Sequence, residues 1–337
     1  MKDHSETRIT PAALDKYLTE NNLELTFRIL SNAVLNYIGR KQVLKEKSDL
    51  LKNTLTSPLP SREKLYFEMS KIHLQQLDLL SSIFMFLEDF LAYSFNLNES
   101  LSKLQEFPTK IASENYDISN KGIKNLRNKE KSDIAEYLLF PDVGPMLLGK
   151  EEKNLLRIVF ERMSTDVYNR IQSIIKFYDN HYRVYIKYKH VLTAIVGLHE
   201  IIDDKNDPLK KTVASHIYVR DRYKKEFRTH IIACNLETVT YYEEITGHIG
   251  SIFQLLLISY LHYLMNYGTR VVIPIGTYIK DKEKNQWGSI LSTNKVKVLY
   301  PNFKTEIKIF GELAHALLNI LPKKYIYTKK SDFFLQS

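Results

Sequence analysis

One cysteine, Cys234, stands in 337 residues. An intrachain disulfide framework and any zinc site built on several thiolates are therefore excluded, and a reducing intracellular setting is expected. Its neighbours Ile231, Ile232 and Ala233 mark a buried thiol and not a nucleophile. Glycine (11) and proline (10) are scarce, so turns are few, elements are long and helices should dominate. Long hydrophobic runs are missing. The most apolar stretch, Ile249 to Met265, contains Gln254 and His262 and falls short of the roughly 20 apolar residues that span a bilayer. It is expected to be a core helix. Met1 to Thr10 is polar and charged, without the apolar centre of a secretory signal. The expectation is a soluble, cytoplasmic protein with no membrane contact. No phosphate-cradling glycine loop, G-x-S-x-G or H-E-x-x-H occurs, so nucleotide hydrolysis and serine-type acyl transfer have no support.

What is present is the balance of a globular chain, 44% hydrophobic and 26% charged, with a net charge of +9 that favours polyanionic partners. Apolar residues recur at helical spacing in several stretches. Thr10 caps a short leading helix, Pro11 to Asn21, with proline in its first turn. Leu23 to Lys52 and, beyond Pro58 and Pro60, Ser61 to Phe95 read as two long helices. Gln76 is the polar interruption in the second stripe, and Glu88 and Asp89 are expected exposed or paired with a base. Asn96 to Lys150 weakens into short helices and loops. Its basic run (Lys121, Lys124, Arg127, Lys129, Lys131) reads as a solvated face sooner than as a polyanion contact. Glu151 to Met163 resumes helical periodicity and leads into a central helix.

Ser215 to Arg222 and Phe227 to Asn235 are rich in β-branched and aromatic residues and read as a hairpin around Lys224-Lys225. Glu237 to Tyr267 returns to helix; Val271 to Lys280, Trp287 to Leu291 and Val296 to Tyr300 read as short strands, and Phe310 to Leu321 as a final helix. The fold class that follows is mainly α: an antiparallel helical bundle with long helices and a small appended β-element. Residues 1–205 are expected to form the bundle, with the central helix at 165–200. Residues 206–337 add the remaining bundle helix (237–267), the hairpin, the short strands and the C-terminal helix, within one composite domain.

The chemistry is sought in that central helix, Thr165 to Glu200. With Arg183 set at zero on a wheel of about 100° per residue, Ile174, Phe177, Tyr178, Tyr185, Tyr188, Leu192 and Ile195 fall on one side. Asp179, Arg183, Lys187 and His190 fall on the other. The first set should be buried and the second should face water or a partner.

Arg183 and His190 make the spacing R-x6-H. This resembles the R-x4-6-H motif of the HEPN superfamily, helical bundles that include metal-independent ribonucleases of toxin and phage-defence systems. The adjoining Tyr185-Ile186-Lys187-Tyr188-Lys189-His190 is similar to the Tyr-Lys-His segments of some HEPN-like proteins. The resemblance covers about two turns of one helix, and Val184 stands where family motifs commonly carry a polar residue. It implies a metal-independent endoribonuclease of a defence or stress system, without cofactor. His190 would be the general base or acid for a ribose 2′-hydroxyl, and Arg183 would hold the scissile phosphate. Lys187, Asp179 and Tyr188 would contact the substrate. Two protomers would pair to line one cleft, and a protein antidote or sensor would accompany them.

Two other classes stay open. One is a non-catalytic helical binding or scaffold protein, in which Asp179 and Arg183 form an ordinary surface pair and the tyrosines are core. The other is a helical metal oxidase, suggested by Glu312 and His315 as E-x-x-H, but no second such motif exists. Glu244–His248 and His199–Asp203 are close in sequence without a third ligand. Aromatics among bases from His216 to Tyr223 suit RNA stacking or packing on the bundle.

Overall fold

The computed structural model describes residues 11–58, 61–113, 118–131, 133–134, 150–189, 195–202, 212–220, 227–265, 278–281 and 286–289. The described chain is mainly α, with a small antiparallel β-element. Its helices are α1 (Pro11–Glu20), α2 (Glu24–Thr56), α3 (Arg62–Glu99), α4 (Phe107–Ala112), α5 (Ile118–Arg127), α6 (Lys150–Lys189) and α7 (Leu236–Met265), with a 3-10 turn at Leu104–Glu106. Strands β1 (Ile195–Ile202), β2 (Thr212–Arg220) and β3 (Phe227–Cys234) form one sheet, and β4 (Tyr278–Asp281) pairs with β5 (Gln286–Ser289). The expected strand at Val296 to Tyr300 and helix at Phe310 to Leu321 lie outside the described residues.

Contacts divide the chain into two compact units: Met1–Tyr37, Leu91–Asn169 and Ser251–Ser337 in the first, Ile38–Phe90 and Arg170–Gly250 in the second. In the first unit α1 stops at Asn22, which adopts a positive φ of 56°. Leu23 N–H donates to Leu18 O and Asn22 N–H to Thr19 O, the paired bonds that close a helix through a left-handed residue, and asparagine tolerates that conformation. Leu18 and Leu23 are both buried, fixing the turn. Thr26 Oγ1 donates to Leu104 O at 2.7 Å. Tyr93 packs on Phe107 and Phe253, and Tyr37 meets Phe253 edge-on. Gly122 of α5 lies against α3, where an added Cβ would come within 3.0 Å of Leu91 Cβ.

In the second unit α2 and α3 run antiparallel, as Arg40–Asp89 and Lys47–Asp78 show. The expectation that Asp89 pairs with a base holds. Helix α6 runs in the same sense as α3: Phe84 stacks on Tyr185 (4.5 Å) and Phe177 (5.2 Å), and one turn on Glu88 meets Lys189 at 3.1 Å. The sheet returns the chain to the start of α7. There Asn235 Oδ1 accepts from both Thr238 N–H and Thr238 Oγ1 (2.8 Å each), capping the helix. Gln76 is buried because Nε2 donates to Ala233 O (2.8 Å) and approaches Tyr242 Oη (3.4 Å). The polar break in the α3 stripe thus anchors the strand-to-helix junction.

One expectation changes. The central helix does not extend to Glu200: α6 is described from Lys150 to Lys189, and Ile195–Ile202 is strand β1, antiparallel to β2. Gly197 is the extra residue of a bulge between Val196 and Leu198. The β2–β3 hairpin is as expected, with Val213 opposite Cys234 and Ser215 opposite Ile232 on the buried face. Lys224 and Lys225 lie outside the described residues.

Candidate functional site

Within the second unit, one side of α6 is fixed by aromatic packing. Ile174, Phe177, Tyr178 and Tyr185 are buried, as the wheel requires, and Ile171 extends the stripe, whereas Tyr188, expected on the same side, is only half-buried. Phe84 of α3 makes ring contacts with Phe177, Tyr178, Tyr182 and Tyr185. Tyr178 and Tyr182 stack on one another at 4.3 Å. Burial pushes the Tyr185 hydroxyl up to about 12, so it stays protonated at any physiological pH. Lys189 lies over the Tyr185 ring at 5.3 Å while its ammonium meets Glu88. Val184, which follows the motif arginine, is also buried, and an apolar side chain is what that position packs.

The opposite ridge carries the motif. Asp179 and Arg183 are exposed, and Lys187 is half-buried. Four-residue steps place the three along one line at intervals of about 6 Å. The Arg183 guanidinium is in no ion pair among the described residues. Tyr188 sits about 140° round the helix from Arg183 and is half-buried. His190 lies outside the described residues, and so does the geometry of the Arg183–His190 pair.

Sequence reasoning passed over His181. Its ring packs on Phe177 at 4.9 Å and edge-on to Tyr242 at 5.7 Å. Burial lowers its pKa to about 4, so the imidazole is neutral near pH 7. The signal was available: His181 falls on the apolar side of the wheel, four residues from both Phe177 and Tyr185. An imidazole held there accepts no proton in a neutral medium, and it is separated from the ridge that Arg183 occupies.

Among the described residues no group of three or more His, Cys, Asp or Glu is arranged to hold a metal ion. Glu244 and His248 meet at 3.3 Å, and Cys234 is buried with its thiol pushed up to about 12. Glu312, His315 and Asp203 lie outside the described residues, as does the side chain of His199. No described helix is long and apolar enough to cross a membrane. Comparison with protein-family models, with curated proteins and with solved structures finds no match.

Proposed function

We propose that this is a HEPN-like helical protein acting on RNA as a metal-independent endoribonuclease of a defence or stress system. The observation that carries the reading is Arg183. It is an exposed guanidinium outside any ion pair of the described residues, on a helix whose far side is held by the Phe84 aromatic cluster. A planar guanidinium binds phosphate through two parallel hydrogen bonds and stabilises the charge that builds on a pentavalent phosphorus. Lys187 adds a second cation one turn along. Asp179 and Tyr188 are the remaining substrate contacts of this reading. In this reading His190 takes the proton from the ribose 2′-hydroxyl. Pairing of two protomers across this helix, and a protein antidote or sensor, belong to the same reading.

The test is incubation of the purified chain with RNA in EDTA. Cleavage is expected, with loss of about 100-fold or more for His190→Ala, the scale of a general base, and a comparable loss for Arg183→Ala. Intact RNA with the native chain would sink the reading. The alternative is a non-catalytic helical binding or scaffold protein, favoured by the apolar side chains that α2 and α3 expose.

A further inference from the structure

In the second unit the outer side of the α2–α3 pair exposes large apolar side chains: Val43 and Leu50 on α2, Phe67, Leu74 and Met85 on α3. Phe67 is 74% exposed and Leu74 58%. The steps from Val43 to Leu50 and from Phe67 to Leu74 are seven residues each, and that from Leu74 to Met85 is eleven, so each helix shows them on one face. Arg40–Asp89 and Lys47–Asp78 set the register of the two helices. In that register Val43 is level with Met85, and Leu50 lies within about one turn of Leu74. On each helix these residues lie about 20–80° from the seam-facing charges, on the side away from the core. The result is a strip of two apolar clusters along the seam, Val43 with Met85 and Leu50 with Leu74, on either side of the Lys47–Asp78 ion pair, in which Lys47 also donates to Ser82 Oγ at 2.8 Å. Large exposed apolar side chains grouped on one face and bordered by charge mark an interaction site.

We propose that the strip is covered by a second copy of this chain, related by a two-fold axis running along the α2–α3 seam. The charges select both occupant and axis. Face-to-face packing about that axis sets α2 of one copy against α3 of its partner, and every residue keeps its height along the helices. Lys47 then meets the partner's Asp78, Val43 meets the partner's Met85, and positive and negative groups alternate around the four-helix contact. An axis across the seam would instead bring Lys47 onto its own symmetry mate and Asp78 onto its own, with like charges opposed. An isologous interface requires a surface that is complementary to itself, and this strip meets that condition in one orientation. The contact does not rest on the RNA reading, which pairs protomers across α6.

Sedimentation equilibrium of the full-length chain at about 100 µM, where contacts of micromolar strength are filled, tests it. The expected mass is twice 39.6 kDa, or a higher even multiple where protomers also pair across α6. Leu50→Glu with Leu74→Glu places two carboxylates at positions already more than half exposed, so the monomer fold should persist by circular dichroism. Association should weaken about 100-fold or more, as for central interface residues. A second arm mixes chains carrying Val43→Cys with chains carrying Met85→Cys under oxidising conditions, where mixed crosslinks should outnumber homotypic ones. The native Cys234 is buried and leaves this readout clear. A single-chain mass for the native protein, unchanged association of the double variant, or homotypic crosslinks alone would overturn the proposal.

Discussion

At the scale of single residues, His181 has its protonation set by packing. Its folded pKa of about 4 lies below the ordinary value of 6.5, so the unfolded chain takes up the proton more readily. The stability this group contributes is fully present above pH 6.5 and is lost as pH falls from 6.5 towards 4. The slope approaches about 1.4 kcal/mol per pH unit at most. Urea denaturation between pH 7 and pH 4 should therefore show a component that His181→Phe removes; an unchanged slope in the variant would rule it out. Gln76 is the second such residue. Gln76→Leu removes the Nε2 donor from a part-buried hydrogen bond to Ala233 O, which keeps a weak contact from Thr238 Oγ1, and should cost about 0.5–1.5 kcal/mol, with Cm lowered and m unchanged. Arg183 is legible in the sequence by its wheel position alone, since an exposed ridge needs only the period. His181 and Gln76 were harder to read because a partner on another element, Tyr242 or Ala233, decides what each does.

At the scale of elements, the helices were legible because their stripes are long. Buried residues of α2 from Phe27 to Leu55 and of α3 from Met69 to Leu91 repeat for many turns, and no loop imitates that. Strand β1 was not. Ile195 and Leu192 continue the α6 period by coincidence, and the β-branched residues Ile195, Val196, Ile201 and Ile202 become strand only through pairing with β2. Gly197 was visible as a break, but its role as a bulge depends on that partner. Two changes test the elements. Asn235→Ala removes the cap of α7 and should destabilise by about 1 kcal/mol in chemical denaturation. Gly122→Ala sets a gain of about 1 kcal/mol in helix propensity against an added Cβ 3.0 Å from Leu91 Cβ and 3.3 Å from Leu91 O. Neither atom is at the end of a flexible chain. Overpacking of this kind costs about 1–3 kcal/mol, so a lower Tm is expected, and a higher one would refute the close seat of α5.

At the scale of the whole molecule, the net charge of +9 makes any RNA affinity dependent on salt. Log K should fall linearly with log salt, and Arg183→Ala should reduce the slope by about 0.7 if its guanidinium neutralises one phosphate of a single strand. An unchanged slope would remove Arg183 from the contact even if cleavage were seen. The division into two units has its own consequence. The chain passes between them four times, after Tyr37, Phe90, Asn169 and Gly250, and each passage falls inside a helix: α2, α3, α6 and α7 in turn. No loop joins one unit to the other. A protease that cuts only irregular backbone finds no hinge to sever, and gene truncation at a passage breaks a hydrogen-bonded turn. Calorimetry should therefore record one transition whose van't Hoff and calorimetric enthalpies agree, and two separated transitions would refute the coupling through the shared helices.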